Sequence, residues 1–245
     1  MENGTWSKAL LAAALIGTIL ASKPLLSGAA AGKGIVVGIV TGVTGKPEVT
    51  RIATSKTERL KNSVMVYEGD VVKTGKGEQV AVALVGGVEV RINEGSNFEM
   101  ESGGGRREAS LMTKLGQIWT KRLHGMSTIR LRSNLAVCSV RGTEADVDVD
   151  ERMTVKVYDG VVDISNDLGR QSLIAGQISQ VAGPGAAPSA PRTLSQQEYG
   201  TWQNGVAVSD LDNNLQKLRK EAEKTKAVEI EMKDGKKIKM KFEKK

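Results

Sequence analysis

The sequence predicts a mainly β fold: a compact multi-stranded β-roll or sandwich of short strands, with a C-terminal helix and a β-hairpin appendage. Apolar and polar residues alternate along Asn134–Ser165, which is the pattern of half-buried strands. Glycine is abundant, with 28 residues, and proline is scarce, with 5, which suits short strands joined by tight turns. Aromatic residues make up only 3% of the chain, so the core must be built from Val, Ile, Leu, Ala and Met.

The first part of the chain resembles an export signal or a membrane anchor. An uncharged run, Ala9–Ser22, lies between two lysines. It is short for a membrane-spanning helix, which needs about 20 residues, but it suits the apolar region of a signal peptide, about 7–15 residues long. Ala29–Ala31 offers a small-residue cleavage site before Gly32. We therefore expect an exported protein, periplasmic or extracellular, whose residues 1–31 are either cleaved or retained as an anchor.

Residues 32–181 are predicted to form the β domain. Two strands are expected within Ile35–Ile52, about a turn at Thr44–Pro47, followed by a polar stretch at Ala53–Ser63. Further strands are expected at 64–67, 71–73, 79–85 and 88–92. Gly103–Arg107 is expected to be a flexible turn. After it, four apolar residues are expected to pack inward: Leu111, Leu115, Ile118 and Trp119.

Arg141–Glu144 lies between the two alternating runs of the central region. Gly142 permits a bend or a close backbone approach there. We expect Arg141 to be buried, and therefore paired with Glu144 or a nearby aspartate. Three aspartates occupy alternate positions after it: Asp146, Asp148 and Asp150. Because their spacing lacks the glycine and the glutamate of a calcium loop, we interpret them as a solvated strand face and not as a calcium or hydrolytic site.

These motifs resemble the FecR domain family. Ala136–Val149 followed by Met153–Ile164 resembles the family's core signature, an apolar strand that leads through V-R-G-T-E into a hairpin. Glu68–Gly75 resembles its G-D-x-x-x-T-G turn, and Leu173–Gln177 its closing G-Q. The resemblance covers roughly residues 38–182. It departs from the family at Ser133-Asn134, often Thr-Pro in the family, and at Cys138.

The resemblance implies that the matching positions are first of all structural. They are Gly69, Asp70, Thr74, Gly75, Val140, Arg141, Gly142, Thr143, Glu144, Gly160, Gly176 and Gln177. Proteins of the namesake branch are membrane-spanning regulators with a cytosolic part that controls a sigma factor. Because few residues precede the run Ala9–Ser22, we expect no such part here, and the resemblance then implies an extracytoplasmic interaction module.

The reactive residue types are too few to predict an enzyme. Cys138 is the single cysteine, so no intramolecular disulfide is possible, and its apolar strand predicts burial. His124 is the single histidine and is predicted to lie in a loop without a neighbouring nucleophile. Gly75-Lys76-Gly77 is interpreted as a turn and not as a phosphate-binding loop. We predict a non-enzymatic protein without a metal site or cofactor.

The C-terminal part changes in composition. Ala182–Arg192, with three prolines, is predicted to be a linker, and residues 193–245 are predicted to form the appendage. A short helix is expected to start at Ser195. A longer one is expected to be capped by Ser209 or Asp210. The longer helix carries leucines on one face: Leu211, Leu215 and Leu218. We expect that face to pack on the chain's own β parts, with partner binding as the next choice.

The end of the chain is predicted to be a basic hairpin. Val228, Ile230 and Met232 would share a face with Ile238, Met240 and Phe242, and glutamates would oppose lysines across the strands. From Lys217 to Lys245 there are 12 lysines and arginines against 6 acidic residues, so this tail carries +6 of the net charge of +7. Export would remove nucleic acid as a partner. Two functions remain open: a binding or scaffolding module for an envelope protein, in signalling or otherwise, and an appendage that binds an anionic glycan or lipid surface. The oligomeric state is not predicted.

Overall fold

The structure is a computed structural model that describes residues 34–102, 108–124, 128–225, 227–231 and 237–241. Its strands are β1 (Val36–Thr44), β2 (Glu48–Arg51), β3 (Lys56–Arg59), β4 (Met65–Tyr67), β5 (Val71–Lys73), β6 (Gln79–Leu84), β7 (Val88–Ile92), β8 (Asn97–Ser102), β9 (Glu108–Arg122), β10 (Thr128–Arg132), β11 (Val137–Val149), β12 (Met153–Asn166), β13 (Gly169–Ile174), β14 (Gln177–Val181), β15 (Arg192–Thr193), β16 (Ala227–Glu231) and β17 (Lys237–Lys241). The helical elements are two 3₁₀ turns, Gln196–Glu198 and Trp202–Gly205, and helix α1 (Leu211–Thr225).

Three long strands, β9, β11 and β12, change their neighbours midway. The first half of β9 pairs with β8 and, in parallel, with β10, whereas its second half pairs with β7 and β11. Likewise β12 pairs with β14 in its first half and with β13 in its second half. The strands therefore form two layers. The first layer has the order β3-β2-β5-β8-β9-β10-β11-β12-β13, and the second has β4-β1-β6-β7-β9-β11-β12-β14-β15.

The bends fall at the signature positions of β11 and β12. The pairing of these two strands shifts between Arg141 and Glu144 and again at the next residue. On β12 this irregularity lies beside Gly160, whose φ of 86° is in the left-handed region that favours glycine. The predicted bend at Gly142 therefore lies where β11 leaves β10 and joins β9.

One continuous core lies between the two layers. Val49, Val72 and Phe98 of the first layer and Val82 and Val90 of the second belong to the same cluster of fully buried residues. This arrangement confirms the predicted mainly β roll or sandwich. Cys138 is buried in the same cluster, as predicted, and its burial raises the pKa of the thiol far above its ordinary value.

Helix α1 packs on the outer side of the second layer. Leu218 and Ala222 join Val36, Ile39 and Ala83 in a second buried cluster. The leucine face was predicted to pack on the chain's own β parts, and this prediction is confirmed, since Leu211 and Leu215 lie against the same cluster. Strand β1 is consequently buried on both faces, which explains its continuous apolar run.

The residues between β15 and α1 are fixed to the sheet at both ends. We call residues 194–209 the strap. The Leu194 N–H donates to the Gly176 carbonyl, and the Ser209 N–H donates to the Thr41 carbonyl, at 2.8 and 2.9 Å. The predicted short helix is present as a 3₁₀ turn that Ser195 caps. Either Ser209 or Asp210 was predicted to cap the longer helix. Asp210 directly precedes α1 and its carbonyl accepts from the Asn214 N–H at 3.0 Å, whereas the Ser209 hydroxyl donates to the Thr41 carbonyl at 3.4 Å.

Most of the predicted strands are confirmed, with two differences. Leu115 was expected to pack inward, but 52% of it is exposed, because it lies beside the register shift at which β9 parts from β8. The polar stretch after Ile52 contains β3, an edge strand whose residues are all exposed.

The C-terminal hairpin has the predicted pairing. Its register sets Glu229 opposite Lys239 and Glu231 opposite Lys237. Met232 and Phe242, like Gly103–Arg107 and Ala9–Ser22, lie outside the described residues. Within the described residues, no helix has the length and apolar character needed to cross a membrane.

Candidate interaction face

The two layers differ in what lies on their outer sides. The outer side of the second layer is covered by the strap and α1. On the first layer, most outward side chains of β8–β13 are partly or fully exposed, and we call this surface the open face. Because backbone pairing aligns neighbouring residues, outward side chains of adjacent strands form rows across it.

Three arginines stand at the centre of the open face. About half of each side chain is exposed: Arg130 50%, Arg132 47% and Arg141 60%. Arg130 pairs with Glu108 at 3.0 Å and Arg132 with Glu101 at 2.7 Å. The alternation in β10 produces this arrangement, since Ile129 and Leu131 point into the core.

Half-exposed apolar side chains lie between the arginines. Arg132 is paired in register with Met112 on β9 and with Val137 on β11. Val161 of β12 lies opposite Arg141. Met112, Val137 and Val161 are all partly exposed. The face therefore combines guanidinium groups with apolar contact area.

A shallow depression of about 370 Å³ adjoins the arginines on the β8 side. Its lining includes the two arginines of β10 and several glutamates: Glu68, Glu99, Glu101 and Glu108. The Ser110 hydroxyl donates to Glu101 at 2.7 Å. The open face is thus acidic on one side and basic at its centre.

Arg141 does not have the predicted environment. It was expected to be buried and paired with Glu144 or a following aspartate, but it is exposed and pairs with Asp163 of β12. The reason is the bend after Arg141. Arg141, before the bend, faces the first layer's outer side, whereas Glu144, after it, belongs to the second layer and accepts a hydrogen bond from Trp119 Nε1 at 3.0 Å.

The prediction of a solvated acidic face is correct for Asp148 and Asp150 and wrong for Asp146. Asp146 is 1% exposed, because the strap crosses above it. Its Oδ2 accepts from Trp202 Nε1 at 2.7 Å, and its Oδ1 accepts from Gln117 Nε2 at 2.9 Å. Burial raises the pKa of Asp146, and these two hydrogen bonds oppose that shift. Burial and the charges of Asp146 and Asp150 raise the pKa of Asp148.

Asp146 ends a chain of hydrogen-bonded amides beneath the strap. Gln79 Nε2 donates to Asn93 Oδ1 at 2.9 Å, and Asn93 Nδ2 donates to Gln117 Oε1 at 2.7 Å. Gln79 Nε2 also donates to the Trp202 carbonyl at 3.2 Å. These polar groups bind one another and the strap, so the covered face is an internal interface.

Aromatic and cationic groups fix the strap further. The Arg91 guanidinium lies 5.0 Å from the centre of the Trp119 ring and donates to the Gln203 carbonyl. Tyr158 stacks on Tyr199 with ring centres 5.5 Å apart, and its hydroxyl accepts from the Gly200 N–H at 3.3 Å. Burial raises the pKa of Tyr158 to about 12. Sequence analysis did not single out these contacts, which join positions far apart in the chain.

The turn residues of the family signature hold the β4–β8 region together. Asp70 is buried and accepts from Arg51 Nη1 at 2.6 Å, while the Gly69 N–H donates to the Met100 carbonyl at 2.7 Å. The Thr74 hydroxyl donates to the Asn93 carbonyl at 2.6 Å. The Gly75 N–H donates to a glutamate side chain in the same turn.

The remaining signature residues lie in or beside the long strands. Val140 is buried in β11, and Gly142 and Thr143 follow it in the same strand. Gly176 forms the turn before β14, where Gln177 Oε1 accepts from the Ile174 N–H at 3.0 Å. These positions set the course of the backbone.

Potential catalytic and metal-binding residues are not brought together. Among the described residues, no group of three or more His, Cys, Asp and Glu side chains is arranged to hold a metal ion. His124 follows the end of β9 beside Gly87, outside the strands, as predicted for a loop residue. Among the described carboxylates, Asp146 is hydrogen-bonded beneath the strap, Asp70 is paired with Arg51, and Glu101 and Glu108 are ion-paired on the open face.

The fold and its exposed face define a two-layer β module that presents a broad charged surface. Residues 70–163 match the model of the family described as FecR protein, the family that the sequence motifs resemble. The match supports a regulatory, signalling-related module. No curated protein matches the chain.

Two crystal structures of one protein are similar to the chain. The protein is described as a "putative anti-sigma factor" from Parabacteroides distasonis. In each comparison the identity is 17% over 52% of this chain, with a TM-score of 0.46. The chain spans 61% of the length of that protein.

Proposed function

We propose that the protein is a non-enzymatic FecR-type module of the cell envelope that binds a protein partner through the open face and takes part in signalling. The observation that carries the proposal is the row of half-exposed arginines on β10 and β11, interleaved with Met112, Val137 and Val161. Arginine and methionine are enriched in protein interfaces, whereas lysine is depleted.

The ion pairs of these arginines contribute little to the stability of the fold. Surface ion pairs contribute roughly 0–1 kcal/mol each to stability, so pairs such as Arg130–Glu108 and Arg132–Glu101 do not hold the sheet together. They do hold the guanidinium groups in place, which lowers the entropy cost of binding. A planar guanidinium offers several donors in a fixed geometry to carboxylates of a partner.

Placement in the envelope rests on the sequence. The apolar run Ala9–Ser22 and the small residues at Ala29–Ala31 support export. With a signal or an anchor at residues 1–31, the β domain faces the extracytoplasmic side, where an envelope protein is its partner. We assign residues 32–181 to that domain and residues 193–245 to an appendage after the segment Ala182–Arg192.

Site-directed photo-crosslinking in the native cell tests this proposal. A photoreactive amino acid replaces Ser139, which lies on β11 at the centre of the open face beside Arg130. The matched control places it at Gln216, an exposed position of α1. We expect one defined protein adduct from position 139 and none of that mass from position 216. Equal adduct patterns from both positions would refute the open face as the binding surface.

The basic appendage supports a second candidate function, binding to an anionic glycan or lipid surface. Lys217, Lys220 and Lys224 project from the exposed side of α1, opposite the leucines. Lysines near a membrane surface contribute about 1 kcal/mol each to binding anionic lipid. Sedimentation with vesicles containing an anionic phospholipid tests this function. The wild-type chain should cosediment at low salt, and Lys217→Glu with Lys220→Glu should not.

A further inference from the structure

The first layer ends in a strand whose outer edge is open. Strand β13 pairs with β12 alone among the described strands. Its Ile174 N–H bonds to Gln177 Oε1 and not to β12. Because successive N–H groups of a strand point to opposite sides, the N–H groups of Arg170 and Ser172 also point away from β12. Two donors are therefore available to a further strand.

The other edges of the sheet are protected. Three of the four residues of β3, Lys56–Arg59, are charged, and all four are exposed. Strands β4 and β15 are three and two residues long. Charges and short length are the usual means by which proteins block pairing at an edge. Strand β13 has neither protection, since it is six residues long and Arg170 is its one charged residue.

The exposed side of β13 continues the open face. Ile174 is 58% exposed and lies opposite Val161, which in turn lies opposite Arg141. Leu168, in the turn before the strand, is also 58% exposed. A strand added at this edge would extend the row of side chains that we assign to the partner.

We propose that an extended segment of the protein partner adds to β13 as an antiparallel strand, with an apolar residue opposite Ile174 and a carboxylate opposite Arg170. This inference rests on the proposed function and names the element that the partner contributes. Main-chain hydrogen bonds to the edge would supply affinity, and the side-chain pairs would select the sequence.

The same edge is a poor match for a second copy of the chain. An antiparallel pair of β13 strands centred on Ser172 sets Ile174 opposite Arg170 of the other copy. A pair centred on Arg170 brings two like charges together. Neither arrangement gives Ile174 an apolar neighbour and Arg170 an acidic one. A different chain satisfies both.

Amide hydrogen exchange of the full chain tests the inference. The probe is a blocked peptide, Thr-Val-Thr-Val-Thr-Glu-Thr, whose first valine falls opposite Ile174 when its glutamate falls opposite Arg170. In the free protein we expect fast exchange at Arg170 and Ser172 and slow exchange at Gln171 and Leu173, which bond to β12. Peptide at about ten times its Kd should slow exchange at Arg170 and Ser172 by about tenfold.

Proline variants distinguish an effect on strand addition at the edge from an effect on the stability of the fold. Ser172→Pro removes an outward N–H, so it should abolish protection by the peptide and leave the melting temperature nearly unchanged. Gln171→Pro removes a donor to β12 and should lower the melting temperature. Slow exchange at Arg170 and Ser172 in the free protein, or protection that rises with protein concentration, would overturn the inference, because the edge would already be occupied or would bind a second copy.

The crosslink at Ser139 distinguishes this inference from the proposed function. If Ser172→Pro lowers the yield of that adduct as much as Arg130→Ala with Arg132→Ala does, the partner uses both the face and the edge. If the adduct persists at wild-type yield in Ser172→Pro, the strand addition is refuted and the open face remains the binding surface. If the wild-type chain gives no adduct, the proposed function itself fails.

Discussion

The two outer faces of the sheet are built from similar alternating sequences, but their polar side chains have different environments. On the covered face, polar side chains such as Gln117 and Asp146 hydrogen-bond to one another and to the strap. On the open face, Arg130 and Arg132 form ion pairs that remain half exposed. A polar residue on a strand therefore does not establish a solvent-facing surface, because a later segment of the chain can cover it. What separates the two faces is whether a later segment of the chain covers the polar groups or leaves them half exposed.

Removal of the C-terminal segments should have the largest effect on the fold. A chain that ends at Val181 lacks the strap and α1, so Val36 and Ile39 become exposed and Asp146 loses Trp202. We expect a loss of several kcal/mol and a melting temperature lower by roughly 10 °C or more. A chain that ends at Thr225 retains both segments and should melt close to the full chain. Scanning calorimetry of the three chains measures this. Equal melting at all three lengths would show that residues 32–181 fold independently of the covering segments.

Truncation of one buried side chain of α1 should lower the free energy of unfolding by a smaller amount. Leu218 is 3% exposed in the cluster beneath α1, and Leu218→Ala removes buried apolar area and leaves a cavity. We expect a loss of about 2–5 kcal/mol in the free energy of unfolding, measured in urea. Gln216→Ala, on the exposed side of the same helix, should stay within about 0.5 kcal/mol of the wild type. Similar losses for the two variants would contradict the packing of α1.

The hydrogen bond between the strap and the sheet should contribute a smaller amount. Trp202→Phe removes the Nε1–H that donates to Asp146 and keeps much of the ring. We expect destabilisation of about 1–3 kcal/mol, because a buried carboxylate loses a donor. A double-mutant cycle with Asp146→Asn isolates the coupling, and a coupling energy near zero would contradict a direct contact.

The buried carboxylate should also give the covered face a dependence on pH. Burial raises the pKa of Asp146 above its ordinary value of 3.8, so the folded chain holds this proton more tightly than the unfolded chain does. Between the pKa of Asp146 in the unfolded chain and its higher pKa in the folded chain, the contribution of Asp146 to the free energy of unfolding falls as the pH rises. Urea titrations from about pH 4 to pH 8 should therefore show the wild type gaining stability relative to Asp146→Asn as the pH is lowered. Asp150→Asn, at the exposed position directly after the same strand, is the control. A constant difference between wild type and Asp146→Asn would be evidence against the burial.

Loss of the arginines should have the smallest effect on stability. Arg130→Ala combined with Arg132→Ala removes two partly exposed ion pairs and leaves the core side of β10 intact. We expect a change of less than about 1 kcal/mol in the free energy of unfolding, measured in urea. A loss comparable to that of Leu218→Ala would mean that the open face stabilises the fold and is not reserved for a partner.

Periodicity in the sequence was sufficient to predict the strands and the helix. The alternation of β-branched residues predicted β11 and β12, and the turn signals between residues 64 and 92 predicted β4–β7 within one residue at each end. The leucines of α1 predicted its buried face. These are local patterns, in which burial and secondary structure depend on residues close together in the chain.

The environments of single polar residues were not predictable in the same way. Asp146 differs from Asp148 and Asp150 only because Trp202, 56 residues later, is placed above it. Arg141 faces away from Glu144 because the strand bends between them and passes from one layer to the other. Both outcomes depend on long-range pairing, about which the alternating pattern carries no information. The open face was missed for a related reason, since its arginines lie close together only through the register of β10 and β11.

The most direct test of the contrast between the two faces is the yield of the crosslink from Ser139 in the chain that carries Arg130→Ala and Arg132→Ala. Lys217→Ala with Lys220→Ala is the matched control, because it also removes two positive charges, from the exposed side of α1. We predict that the adduct falls at least about tenfold in the arginine variant, as loss of two interface arginines worth 1 kcal/mol or more each would require, and stays at the wild-type yield in the lysine variant. An undiminished adduct in the arginine variant, or a loss confined to the lysine variant, would contradict the assignment of the open face as the surface that binds the partner.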